Sequence, residues 1–168
     1  FDVHVTGVTL SKEQLALAQQ RADELGLAHK ISFPSKDYRD VAGSFDRIVS
    51  IGMFEHVGIS YFQQYFGKIQ SLLAPGGVAL VHAIGRKGGP GTTGKWLRKY
   101  IFPGGYSPAL SETFAAIESS GLWVTDTEIW RLHYAETLRA WYDRFEANRG
   151  KAEALLGEKF CRMWEFYL

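Results

Sequence analysis

The sequence predicts an α/β domain in which a mostly parallel sheet is flanked by helices. Three observations predict it: strand-like apolar runs alternate with segments of helical period, the apolar runs are near-continuous, and strong turn signals separate them. Parallel strands covered on both faces read as continuous apolar runs, so a sheet covered on both sides follows. A length of 168 residues fits one domain with one substantial core.

The elements follow in order. Residues 1–9 form a first strand-like run. Residues 11–25 carry Leu15, Ala18, Ala22 and Leu25 at helical spacing, with Ser11 and Gln14 suited to a capping box and Gly26 to the stop. A short strand is expected at 31–33 and a second, longer one at 46–51, closed by Gly52. A helix over about 59–73 ends at Pro75-Gly76-Gly77, and residues 78–84 form the most apolar strand of the chain. Residues 85–105 are glycine-rich and carry Arg86, Lys87, Lys95, Arg98 and Lys99 with no acidic residue. A helix over 108–120, a strand over 123–130 and helices over 135–147 and 151–167 complete the pattern. The chain starts without Met inside a strand-like run and stops inside a helix-like one, so a longer parent protein is expected.

Composition excludes several classes. The chain is 46% hydrophobic and 22% charged with a net charge of +1, so no global field draws it to nucleic acid or membrane. With one cysteine, Cys161, an internal disulfide is impossible and a cysteine-based metal site is not expected; a reducing compartment fits. No apolar run approaches the roughly 20 residues of a membrane-spanning helix.

Open α/β sheets bind ligands beyond the carboxyl ends of their strands. That rule selects residues 9–11, 37–39, 52–58 and 82–85. Glu55 and His56 lie between Gly52 and Gly58, just past a strand. Two readings fit Glu55: a carboxylate satisfied in the first turn of a helix, or a group holding a proton-transfer partner or a cation. His82 sits near the carboxyl end of an otherwise apolar strand and reads either as a core histidine bonded to backbone or as a buried imidazole facing a carboxylate. Ser11 and Gln14 read as a cap or as contacts of a nucleoside. No Asp or Glu stands where a ribose-binding acid ends the corresponding strand of nicotinamide-dependent enzymes, which weighs against an oxidoreductase. Trp96, Leu97, Tyr100, Ile101 and Phe102 interleave with the basic residues of the glycine-rich stretch, which reads as a solvated loop or as a surface for anionic lipid. No nucleic-acid motif accompanies these residues.

The string from Phe45 to Gly58, FDRIVSIGMFEHVG, resembles the cyclopropane-fatty-acyl-phospholipid synthases and the related mycolic acid cyclopropane synthases. Gly7-Val8-Thr9-Leu10-Ser11, Asp37-Tyr38-Arg39-Asp40, Leu80-Val81-His82-Ala83-Ile84-Gly85, the run from Tyr100 to Gly105, and His133-Tyr134 with Thr137-Leu138 match in the same order. The resemblance spans essentially the whole chain. It implies a Rossmann-like class I methyltransferase fold, represented here by a single partial catalytic domain over 1–168. The first strand with its glycine-rich loop and the C-terminal strand or strands lie outside it, and a lipid-binding insertion covers about 86–107. Two cofactors are implied, S-adenosylmethionine and bicarbonate, and no metal. Thr9, Leu10, Ser11 and Gln14 would line the ribose and methionine side, with Asp37 and Tyr38 bordering the adenine. Glu55, the His82 side chain, the Ile84 backbone and the Tyr134 hydroxyl would contact the bicarbonate, which acts as the base. Phe54, Trp141 and Phe145 are available for an acyl tunnel or for packing.

The implied reaction is cyclopropanation of a cis double bond in an unsaturated phospholipid acyl chain. The alternatives are methylation without ring closure and a non-catalytic α/β module. A cytoplasmic bacterial enzyme is expected, peripheral at the inner face of an anionic membrane and open to homodimer formation. Without the glycine-rich cradle, this stretch of chain by itself is expected to bind S-adenosylmethionine weakly or not at all.

Overall fold

The computed structural model describes residues 2–168. The chain divides into two compact units: residues up to Thr92 with Tyr106–Trp123, and Thr93–Gly105 with Val124–Leu168.

The first unit holds all four strands found among the described residues. They are β1 (Val5–Thr6), β2 (Ile31–Ser32), β3 (Phe45–Ile51) and β4 (Leu73–His82). β1 pairs with β2 and β3 with β4, both in parallel, giving two two-stranded sheets rather than one continuous sheet. Along β3 and β4 the register runs from Arg47 opposite Val78 to Ile51 opposite His82. Phe45 lies opposite Leu73, so the Pro75-Gly76-Gly77 turn is a loop-out inside β4, with Gly76 at φ +75°. Gly77 has no room for a side chain, since a Cβ there would stand 2.8 Å from the Ala74 carbonyl oxygen.

Alternation along a strand sends successive side chains to opposite faces. Ile48, Ala79 and Val81 face the core, whereas Val49 (64% exposed), Ile51, Val78 and Leu80 face outward. Among the described residues this outward face is therefore left exposed, while helices Phe62–Leu72 and Leu110–Ser119 pack against the face that carries Ala79 and Val81. The core is aromatic. Helix α2 (Phe62–Leu72) places Phe62, Tyr65, Phe66 and Ile69 on one face at i, i+3, i+4 and i+7, all buried. They enclose Phe54 and meet Ala116 of α4 (Leu110–Ser119). Burial of each such side chain contributes roughly 1.5–3 kcal/mol.

Helix α1 (Lys12–Glu24) starts at Ser11, whose Oγ accepts from the Gln14 amide at 3.2 Å, and is followed by Gly26 at φ +67°. The reciprocal half of the expected capping box does not form, because the Gln14 carboxamide accepts from the Thr9 hydroxyl instead.

The second unit is helical: α3 (Lys95–Tyr100), α5 (His133–Ala147), α6 (Arg149–Leu156) and α7 (Glu158–Tyr167). The glycine-rich stretch is thus not all loop. Rings join the helices: Trp141 stacks on Trp164, Trp164 on Phe160, and Trp96 of α3 meets the Phe166 ring at 5.1 Å. Cys161 is fully buried on α7. The helix expected over 151–167 is broken at Gly157, whose φ of +80° and ψ of 161° suit glycine alone. The strand expected over 123–130 does not form: these residues take no regular secondary structure, and Trp123 is 91% exposed. β pattern alone does not make a strand where no neighbour takes its backbone hydrogen bonds.

Candidate active site

The Glu55 segment is built by three local features. Gly52 turns the chain out of β3 at φ +64°, and its amide extends the ladder by donating to the His82 carbonyl at 3.0 Å. Residues Phe54–His56 then form one 3-10 turn. Within it Phe54 is 1% exposed, its ring 4.3 Å from Phe62 and 5.1 Å from Tyr65, so it serves as a core anchor and not as a tunnel wall. With Phe54 locked inward, the Glu55 side chain reaches across to the chain beyond β4, and Oε1 accepts from the Ile84 amide at 2.7 Å. The Glu55 carbonyl accepts from the Tyr106 amide at 2.8 Å. Oε2 is buried with no hydrogen-bond partner. A buried acceptor left unmade costs about 1–3 kcal/mol, more when charged, so this oxygen is suited to a donor supplied by a ligand.

The Ile84 backbone, expected to face an anion, gives its amide to Glu55. His82 ends β4 opposite Ile51 and is exposed, on the open face of the sheet, so it is not the buried imidazole that its apolar strand predicted. The covered face of a strand is chosen by its neighbours, and positions 78, 80 and 82 fall on the uncovered one. His56 is also exposed.

Past β1, Thr9, Ser11 and Gln14 are joined as one network. The Thr9 hydroxyl donates to Gln14 Oε1 at 2.8 Å and accepts from the Ser11 amide at 3.1 Å, while Leu10 stands 70% exposed beside them. Past β2, Asp37 caps the turn Tyr38–Asp40 and holds Arg39 in a fork, Nε to Oδ1 at 2.9 Å and Nη2 to Oδ2 at 2.7 Å. The Arg39 side-chain hydrogen bonds hold the Asp37 carboxyl down at about 2, well below an ordinary 3.8. Three donors therefore occupy Asp37, and a carboxylate with about four acceptor sites retains one. Tyr38 packs edge-on against Tyr65 at 5.6 Å. Burial pushes the Tyr65 phenol up to about 12, so it stays protonated and donates to Ser50 at 2.6 Å. Among the described residues no group of His, Cys, Asp and Glu is arranged to hold a metal ion.

Tyr134 belongs to the second unit, at the start of α5, where its hydroxyl pairs with that of Tyr167. Burial, then the bond to Tyr134, raises the Tyr167 pKa. Tyr106 and Glu112 were not singled out by sequence. Their signal was faint: Glu112 lies three residues after Ala109, the helix-start spacing at which an acid bonds back to a backbone amide.

Hydroxyl, carboxamide and carboxylate groups beyond parallel strands, with an aromatic ring beside Asp37, are a donor set that fits a nucleoside with a charged amino-acid tail. The fold is that of the class I S-adenosylmethionine-dependent methyltransferases: the mycolic acid cyclopropane synthase CmaA1, solved with S-adenosylhomocysteine and CTAB, superposes with a TM-score of 0.88 at 29% identity, over 99% of this chain and 63% of that one. The chain belongs to the mycolic acid cyclopropane synthetase family, whose model matches residues 1–168. It is 44% identical to a probable fatty acid methyltransferase of Pseudomonas putida, over 100% of this chain and 44% of that protein. It is 39% identical to the cyclopropane-fatty-acyl-phospholipid synthase of Escherichia coli strain K12, over 100% of this chain and 43% of that protein. The chain thus spans less than half the length of these curated relatives.

Proposed function

We propose that the protein transfers a one-carbon unit from S-adenosylmethionine to the cis double bond of an unsaturated phospholipid acyl chain and closes a cyclopropane ring, at the cytoplasmic face of a membrane. The observation that carries this reading is Glu55: a carboxylate fixed at both its carbonyl and its Oε1, with a buried and unpartnered Oε2, in a chain of this family. When bound, S-adenosylmethionine supplies a methyl group made electrophilic by its sulfonium charge, and bicarbonate supplies a base. Thr9, Leu10, Ser11 and Gln14 line the ribose and methionine portions, and Asp37 with Tyr38 borders the adenine. Glu55 Oε2 would accept a hydrogen bond from the bicarbonate hydroxyl and would keep negative charge near the cation that develops on the acyl chain. By the family resemblance alone, the His82 side chain, the Ile84 backbone and the Tyr134 hydroxyl would be further contacts of the anion, with the Ile84 amide shared with Glu55.

Lys95, Arg98 and Lys99 on α3, together with Trp96 and Tyr100, offer cations and aromatic rings to an anionic lipid surface. No helix among the described residues is long and apolar enough to cross a membrane. A second reading, methylation without ring closure, is supported by the naming of the Pseudomonas putida relative as a probable fatty acid methyltransferase.

Proton NMR of lipids from cells making the full-length protein separates the two. Ring protons at the expense of vinylic ones support cyclopropanation, and a methyl branch with no ring supports methylation. Glu55→Gln is expected to lower the rate by about a hundredfold or more. A folded Glu55→Gln enzyme with undiminished turnover would refute the assignment.

A further inference from the structure

The glycine-rich segment begins just after Ile84 and ends just before Tyr106, and both residues give their amides to Glu55. The neck of this segment is tied shut. Arg86 donates its amide to the Pro108 carbonyl and its Nε to the Ser107 carbonyl, each at 2.9 Å, and bridges to Ala109. Its guanidinium carbon stands 5.6 Å from the centre of the Tyr106 ring, within reach of a cation–π contact. On the other side the Tyr106 hydroxyl donates to both Glu112 oxygens, at 2.7 and 2.8 Å. Glu112 is held in turn by the Ala109 amide at 2.8 Å, at the start of α4. The ring also meets Phe62, which packs on Phe54, the residue before Glu55. Burial and the Glu112 bond raise the Tyr106 pKa, so the phenol remains a donor.

We propose that Tyr106, clamped between Arg86 and Glu112, is the positioning residue of Glu55: it fixes the Glu55 carbonyl so that the carboxylate keeps Oε1 on the Ile84 amide and Oε2 enclosed for the anion. None of the three touches reacting atoms; they act through the Glu55 backbone. The proposal rests on the reading of Glu55 as the holder of a bicarbonate. Tyr106→Phe deletes the hydroxyl bonds to Glu112 and leaves the amide to Glu55 in place, so it perturbs position and not the contact itself. Glu112→Gln keeps one acceptor for the phenol.

The test uses the full-length enzyme in bicarbonate-depleted buffer with bicarbonate added back. In Tyr106→Phe the bicarbonate concentration for half-maximal rate is expected to rise about tenfold, with the KM for S-adenosylmethionine unchanged. Glu112→Gln is expected to lie between that variant and the parent. A role confined to stability would lower the melting temperature and the active fraction and leave the bicarbonate dependence alone; that result, or an unchanged dependence in a stable variant, overturns the proposal. If the parent enzyme shows no response to bicarbonate, the anion reading fails and the positioning claim is judged by hydrogen exchange at the Ile84 amide. Faster exchange there in Tyr106→Phe, with α1 protection unchanged, supports it; equal exchange overturns it.

Discussion

Replacing Phe54 by Ala removes the ring that joins the Glu55 turn to the core. Its centroid lies 4.3, 5.1 and 5.2 Å from those of Phe62, Tyr65 and Phe66, and the side chain is 1% exposed. Three rings border the vacated space, all carried on α2, a rigid helix anchored to β4 and α4, so the walls have little freedom to collapse. The cost then belongs in the upper part of the about 3–5 kcal/mol range for deletion of a buried Phe, because a cavity that stays open loses contacts as well as transfer energy. Against a total stability of about 5–15 kcal/mol this is a large fraction. Urea unfolding followed by far-UV circular dichroism reads it as a lower midpoint with an unchanged slope. Phe54→Leu keeps most of the volume and is expected to cost roughly 1–1.5 kcal/mol. A loss below about 1 kcal/mol for the Ala variant would refute the anchoring role, because only a yielding or solvent-filled site gives so small an effect.

Two further outcomes are expected. The Asp37 carboxyl is held at about 2 in the folded state against an ordinary 3.8, so its contribution to stability is complete above about pH 4 and is lost as pH falls towards 2; with Arg39 half exposed, that contribution is about 1 kcal/mol after screening. A carbon-detected NMR titration should raise the Asp37 midpoint towards, but not fully to, its ordinary value in Arg39→Ala, which keeps the backbone amide bond to Asp37; an unchanged midpoint would show that the Arg39 side chain is not the main cause. Gly157→Ala places a Cβ on a backbone at φ +80° and ψ 161°, which should cost about 1–3 kcal/mol in thermal unfolding; unchanged melting would show that the break between α6 and α7 does not depend on glycine.

Much of the scaffold was legible along the chain because its causes are local. Ser11 caps α1 and Gly26 ends it through groups within a few residues of each other. The apolar run after Gly77 pairs in parallel with the run before Gly52, as near-continuous strands do. Glu55 could be placed by topology, since Gly52 closes a strand and ligands gather past strand ends. Its partners could not. Ile84 is 29 residues away in sequence and donates a backbone amide, a group that every residue but proline carries and that no pattern distinguishes.

The same limit explains the differences. Residues 123–130 have the composition of a strand, but a strand exists only where a neighbour completes its hydrogen bonds, and none among the described residues does. His82 sits in an apolar run, yet its exposure follows from which face of β4 meets α2. Sequence by itself determined the helix caps, the parallel pairing and the position of Glu55 at the end of a strand, because each rests on contacts between near neighbours or on one period of side-chain alternation. Tertiary structure decided which oxygen of Glu55 is bonded, which is enclosed without a partner, and that Tyr106 holds the turn, because those facts depend on where distant backbone passes.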